Sequence, residues 1–117
     1  MRAWSDAVST GEDERAAKLF ADDAIAIRGN QEAELATLDE AVAWNKALSC
    51  GGLTRKVTTH GDIVTATFEL TDRAGSTCSA RGGSATYEFE VRRNKIVFLR
   101  LLSLTPAPPA ATTTAAK

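Results

Sequence analysis

The stretch "SATYEFEVRRNKIVFLRLLSL", Ser84 to Leu104, decides the architecture. Tyr87, Phe89 and Val91 alternate with Glu88 and Glu90, so one face of a strand is apolar and the other charged. Asn94 sits where a tight turn needs a residue that tolerates positive φ, and "IVFLRLLSL" then returns as an antiparallel partner. Working upstream, "LTRKVTTH" and "DIVTATFEL" show the same period of two. They are separated by His60-Gly61-Asp62, a turn signal, and "TDRAGST" supplies the next turn. The second half of the chain therefore predicts an antiparallel meander.

The first half follows a different period. In "RAWSDAVS", Ala3, Trp4, Ala7 and Val8 share one helical face. No capping residue precedes this helix, which suggests either trimming from a longer precursor or an unusually short first helix. "STGEDERAAKLF" predicts a second helix, capped by Ser9 or Thr10, with Glu12, Asp13 and Glu14 against its positive end and Ala16, Leu19 and Phe20 buried. In "LFADDAIAI", Asp22 and Asp23 are expected to form the turn into a short strand at Ile25 and Ile27, because Asp bonds readily to nearby backbone amides. "GNQEAEL" suggests a polar loop. "TLDE" is a capping box for a third helix that would run to about Leu48, burying Leu38, Ala41, Trp44 and Leu48, with Gly51 or Gly52 ending it in a left-handed cap.

Helices followed by antiparallel strands make an α+β domain, with the helices covering the apolar face of the sheet. Residues 1–104 constitute this domain, and the Pro/Ala/Thr-rich tail, 105–117, is expected to be disordered. The 117 residues carry a net charge of −1, split as −5 over residues 1–50 and +4 over residues 51–117. That balance offers no general attraction for nucleic acid. The Arg92, Arg93, Lys95 and Arg100 cluster lacks interleaved exposed aromatics and is better explained by cross-strand pairing with Glu88 and Glu90. No apolar run reaches the roughly 18 residues of a membrane span, and no secretory leader is evident. No metal site and no cofactor are expected, since a single histidine and two distant cysteines lack ligand spacing. In a meander, Cys50 and Cys78 fall at the same end of the sheet, close enough for a disulfide. The bond would imply export to an oxidising compartment, and two free thiols would imply a cytoplasmic protein.

"TGEDERAAKLFADDAIAI", "TLDEAVAWNKAL" and "YEFEVRRNKIVFLRLL", taken in order, resemble the nuclear transport factor 2-like superfamily, in particular its SnoaL-like and ketosteroid-isomerase-like branches. The resemblance spans roughly residues 2–104. It implies a cone-shaped half-barrel, three N-terminal helices packed on a curved, mainly antiparallel sheet, an apolar pocket at the wide end, and a homodimer. It also exposes differences in chemistry. Where isomerases of this superfamily carry a tyrosine, this sequence has Trp4. Where they carry the aspartate base, it has Arg28, a cation that cannot abstract a proton. Their second acid falls at Tyr87. The Arg-x-Asp strand of the fold's epoxide hydrolases is missing.

If the Tyr87 face points into the cone, its companions are Trp4, Val8, Phe20, Ile25 and Ile27 from the first half. Trp44, Phe68, Phe89, Leu99 and Leu101 complete that lining. It would bind a hydrophobic small molecule, oriented by Tyr87 and the Trp4 indole, without catalysis. A cyclase, isomerase or dehydratase acting on a polycyclic or enolisable substrate is the alternative, with Tyr87 as acid and Asp23 or His60 as base. His60, in a turn, has a solvated side chain as its ordinary explanation. A third alternative is a dimerisation or assembly module that uses the outer sheet face around Ile63, Thr65, Thr67, Glu69 and Phe98.

Overall fold

The computed structural model describes residues 2–107. In chain order the elements are α1 (Arg2–Ser9), α2 (Asp13–Ala17), β1 (Phe20–Arg28), β2 (Gln31–Leu35), α3 (Leu38–Lys46), β3 (Gly51–His60), β4 (Ile63–Thr71), β5 (Ser84–Arg92) and β6 (Lys95–Thr105). The six strands form one sheet in the order β2-β1-β6-β5-β4-β3, so β2 and β3 are its edges and the barrel stays open. All neighbours are antiparallel except β1 and β6, which run parallel. Thr105 pairs with Ser84, so β6 runs one residue into the stretch assigned to the tail; residues 108–117 lie outside the described residues.

The closing hairpin is as expected, with Arg93 and Asn94 at φ 52° and 64° in its two-residue turn. The "TLDE" capping box is also present, Thr37 and Glu40 each satisfying the other's free amide. Of the cross-strand ion pairs expected, Arg100 to Glu88 forms at 2.7 Å; Glu90 pairs instead within its own strand, with Arg92 at 2.6 Å.

Several local expectations are corrected. Asp22 and Asp23 do not join two elements; they lie inside β1, at a bulge where Asp23 takes φ 61° and the register against β6 shifts. Asp tolerates that left-handed conformation better than most residues. Both side chains are exposed. "QEAEL" is not a loop but β2, an edge strand whose polar, acidic character suits an edge. Neither Ser9 nor Thr10 caps α2: Gly11, at φ 77°, intervenes, and the Thr10 hydroxyl turns back onto the Asp6 carbonyl at 3.0 Å. The N-cap is Glu12, without a side-chain bond. Leu38 is exposed, and Asn45 takes the buried position on α3.

Gly51 and Gly52 do not end α3 either. They open β3, where α1 crosses it. A Cβ on Gly51 would stand 2.9 Å from the Ser9 Cα, so only glycine permits this approach. Ser9 Oγ then accepts a bond from the Gly52 amide at 3.0 Å.

Trp4 of α1 fills the middle of the concave side. Its ring meets Phe68, Tyr87 and Phe89 edge-on, with centroids 5.5–5.8 Å away. The Trp4 Nε1–H donates to Asn45 Oδ1 at 2.8 Å, and Asn45 Nδ2 donates to the Ala41 carbonyl at 2.8 Å. A second buried polar group, Arg73, reaches the last turn of α3. Its guanidinium donates to the carbonyls of Asn45 (2.8 Å) and Leu48 (3.0 Å) and pairs with Asp13 at the start of α2.

Cys50 and Cys78 are disulfide-bonded, with Cα atoms 4.7 Å apart. The bond ties the loop after β4 to the chain entering β3. Across a separation of 28 residues it should contribute about 3.5 kcal/mol by limiting the unfolded chain. Urea unfolding with and without reductant should differ by about that amount. Equal midpoints would show that the crosslink constrains nothing.

Candidate functional site

The concave side of the sheet is not completely filled. A cavity of about 220 Å³ opens between α1, the start of β3, the loop after β4, and the ends of β1, β5 and β6. Trp4, Val8, Leu48, Phe68, Leu70 and Leu101 form most of its apolar wall, and Ser5, Ser49 and Ser79 bring hydroxyls to it. Two ionisable side chains reach it, Tyr87 and Arg28.

The positions expected to line a pocket divide. Trp4, Val8, Phe68, Tyr87 and Leu101 do line this cavity. Phe89 and Leu99 share its strand face, but they are completely buried and act as core. Phe20 packs with Trp44, centroids 6.2 Å apart, as part of the same core but away from the cavity wall. Ile27 points the other way. In "AIAI" either parity could face inward, and the larger isoleucines were the natural choice. The register pairs Ala24 with Leu35 and Ala26 with Leu99, so the alanines turn inward beneath large neighbours. Ile25 and Ile27 therefore lie on the outer face.

Neither proposed base reaches the cavity. Asp23 is exposed at its bulge. His60 pairs with Ile63, whose partner Glu90 places all three on the outer face. The Trp4 N–H, bonded to Asn45, is not available to orient a ligand.

Tyr87 is different. It is 8% exposed, and among the described residues its hydroxyl has no hydrogen-bond partner. No fully buried side-chain polar atom among those residues is left unsatisfied, so this hydroxyl must keep open space, and the cavity provides it. Burial pushes its pKa above the ordinary tyrosine value, with the Arg28 charge opposing more weakly. Tyr87 is accordingly a neutral donor at physiological pH, not a base.

The shift also affects stability. Above about pH 10 the unfolded tyrosine loses its proton while the folded one retains it, so stability must fall as pH rises from the unfolded toward the folded value. Tyr87 is the sole tyrosine in the chain, which makes its phenolate absorbance a clean reporter. Its titration midpoint should lie above that of the urea-unfolded chain, and Tyr87→Phe should flatten the alkaline loss of stability. Coincident midpoints would contradict the burial argument.

Sequence reasoning missed Leu48, Ser5, the serines of the rim, and Arg28 as a wall residue. Arg28 stood out only as the wrong residue for a base. Its inward parity follows from Ala24 and Ala26, which "AIAIR" alone does not assign.

A second cleft of about 290 Å³ lies between α2, β1 and α3. Its rim carries Lys18, Asp22 and Lys95, so charge interrupts its apolar surface, and the Thr37 hydroxyl beside it is already engaged in the capping box.

Comparison with solved structures shows the nuclear transport factor 2-like fold. An NTF2-like protein of unknown function from Burkholderia xenovorans superposes with a TM-score of 0.69 at 15% identity, covering 98% of this chain and 89% of that one. A candidate polyketide cyclase from Sinorhizobium meliloti matches with a TM-score of 0.63 at 24% identity, over 85% and 89% of the two chains. A Catenulispora acidiphila protein with a ketosteroid isomerase-like fold, in complex with trimethylamine, matches at 0.65 and 16% identity, over 86% and 82%. No family model and no curated protein matches the sequence.

Proposed function

We propose that this domain binds an apolar small molecule in the cavity beneath Trp4, with the Tyr87 hydroxyl as the donor that orients it. The observation that carries this reading is an unbonded phenol in a mainly apolar hollow of about 220 Å³. A cavity of about 150 Å³ accommodates benzene. The volume here therefore suits a molecule of one or two rings, or a short branched chain, better than a steroid. Thermal-shift and native mass spectrometry with one- and two-ring aromatics and medium-chain lipids test the reading. Bound ligand and a raised Tm support it; no bound species and no shift across the panel would overturn it.

A second reading is favoured by that same hydroxyl and by the fold shared with the candidate cyclase. Tyr87 would donate to a ketone oxygen as an enolisable substrate loses its α-proton. With Asp23 and His60 outside the cavity, the base would have to be water or a group of the substrate itself. Deuterium exchange into a small cyclic ketone, faster with the protein than without and lost in Tyr87→Phe, would support catalysis. Absence of exchange would confine the domain to binding.

The Cys50–Cys78 bond supports residence in an oxidising compartment. Among the described residues, no helix is long and apolar enough to cross a membrane. The outer sheet face carries Ile25 and Phe98 side by side across β1 and β6, with Ile63 beyond Glu90, which supports self-association. Light scattering tests it, and a monomer at micromolar concentration would remove it.

A further inference from the structure

We propose that the ligand of this cavity is an apolar monoanion, a small aryl or alkyl carboxylate, whose acid group pairs with Arg28 and accepts the Tyr87 hydroxyl proton in a hydrogen bond. This rests on the cavity reading above and adds the ligand's charge to it.

The first support is the cavity's charge inventory. Arg28 is the single charged side chain in its wall, and no carboxylate lines it. The second is the state of that guanidinium. Arg15, Arg55, Arg73, Arg81, Arg92 and Arg100 form ion pairs; Arg2, Arg28 and Arg93 form none among the described residues, and of these three only Arg28 lines the cavity. The nearby acids in sequence, Glu32 and Glu34, cannot reach inward. They pair with Ile27 and Ile25, and the pleat directs them to the outer face, whereas Arg28 shares the inner parity of Ala24 and Ala26.

The third support is where the two polar groups sit. Arg28 closes β1, and Leu101 on the adjacent β6 pairs with Tyr87 of β5. The guanidinium charge is felt at the Tyr87 hydroxyl, consistent with both groups facing one end of the hollow. A carboxylate there would receive a fork of guanidinium N–H donors and one phenolic O–H. Its hydrocarbon part would lie against Trp4, Val8, Phe68 and Leu70. A cation such as the trimethylamine held by the Catenulispora protein would instead meet a like charge.

The test compares 2-naphthoate with 2-naphthamide, which share one ring skeleton and differ in charge. Titrations are followed by the protein's tryptophan fluorescence and by calorimetry, with the full chain. The native protein should bind the acid at least about tenfold more tightly than the amide. Arg28→Gln, at an exposed strand end, should erase this preference by weakening the acid about tenfold more than the amide, and Arg28→Lys should restore part of it. If both compounds bind equally, or Arg28→Gln leaves the preference intact, the charge assignment is wrong and the cavity reading survives. If neither binds, both fail.

Discussion

Replacing Arg73 by Met is expected to lower the unfolding free energy by about 3–5 kcal/mol, a large part of a small domain's total stability. The guanidinium is 5% exposed and serves two helix ends at once. It donates to the carbonyls of Asn45 and Leu48 at the end of α3, the second of which has no backbone donor among the described residues, and it neutralises Asp13 at the first position of α2. Removing it leaves a carboxylate that is 11% exposed without a counter-charge, strips the Leu48 carbonyl of its donor, and leaves the Asn45 carbonyl with only the Leu48 amide at 3.1 Å. The urea midpoint should fall with little change in slope. Asp13→Asn should be costly in the native protein and nearly neutral in the Arg73→Met background, because the charge it removes is by then unpaired. A loss below about 1 kcal/mol in Arg73→Met would mean that water replaces the guanidinium, and that the two helices are held by apolar contact alone.

Trp4→Ala should be comparably severe. Truncating a buried aromatic costs about 3–5 kcal/mol through lost contacts and the void that remains. Here the loss also leaves Asn45 Oδ1, fully buried, without its donor, a further cost of about 1–3 kcal/mol. Trp4→Phe separates the two contributions, since it keeps an aromatic edge toward Phe68, Tyr87 and Phe89 and loses only the indole bond and part of the volume. Because Trp4 is also cavity wall, Trp4→Phe should admit larger ligands than the native protein does. Equal stability of Trp4→Ala and the native chain would show that α1 contributes little to the core. Unchanged ligand size selection in Trp4→Phe would place the binding volume elsewhere.

Much of this architecture was legible one element at a time. The hairpins around Gly61 and Asn94, the capping box at Thr37 and Glu40, and the alternation through Tyr87 and Phe89 are local signals. Each depends on backbone preference or side-chain period within a few residues. The Cys50–Cys78 bond needed only the order of strands in a meander. The failures share a different character. Asp22 and Asp23 have the chemistry of a turn, yet neighbouring strands draw them into β1 as a bulge. "QEAEL" has no apolar period and forms a strand only because β1 offers it an edge. Gly51 and Gly52 look like a helix stop until α1 is laid across them.

By itself, then, the sequence determined the three helical segments, the four strands of the second half, and that one strand face would be aromatic. It did not find β2, and it ran the second helix on through Leu19 and Phe20, where the structure ends α2 at Ala17 and opens β1 at Phe20. The composition of the site was a tertiary decision. Whether alanine or isoleucine of "AIAI" faces inward is a choice between two parities of equal local merit. The contacts of Leu35 and Leu99 across the sheet settle it. Turning the alanines inward carries Arg28 with them to the cavity mouth, while the bulge at Asp23 and the pairing of His60 with Ile63 keep those two groups outside. Side chains only two residues apart in sequence thus depend for their chemistry on packing partners more than sixty residues away.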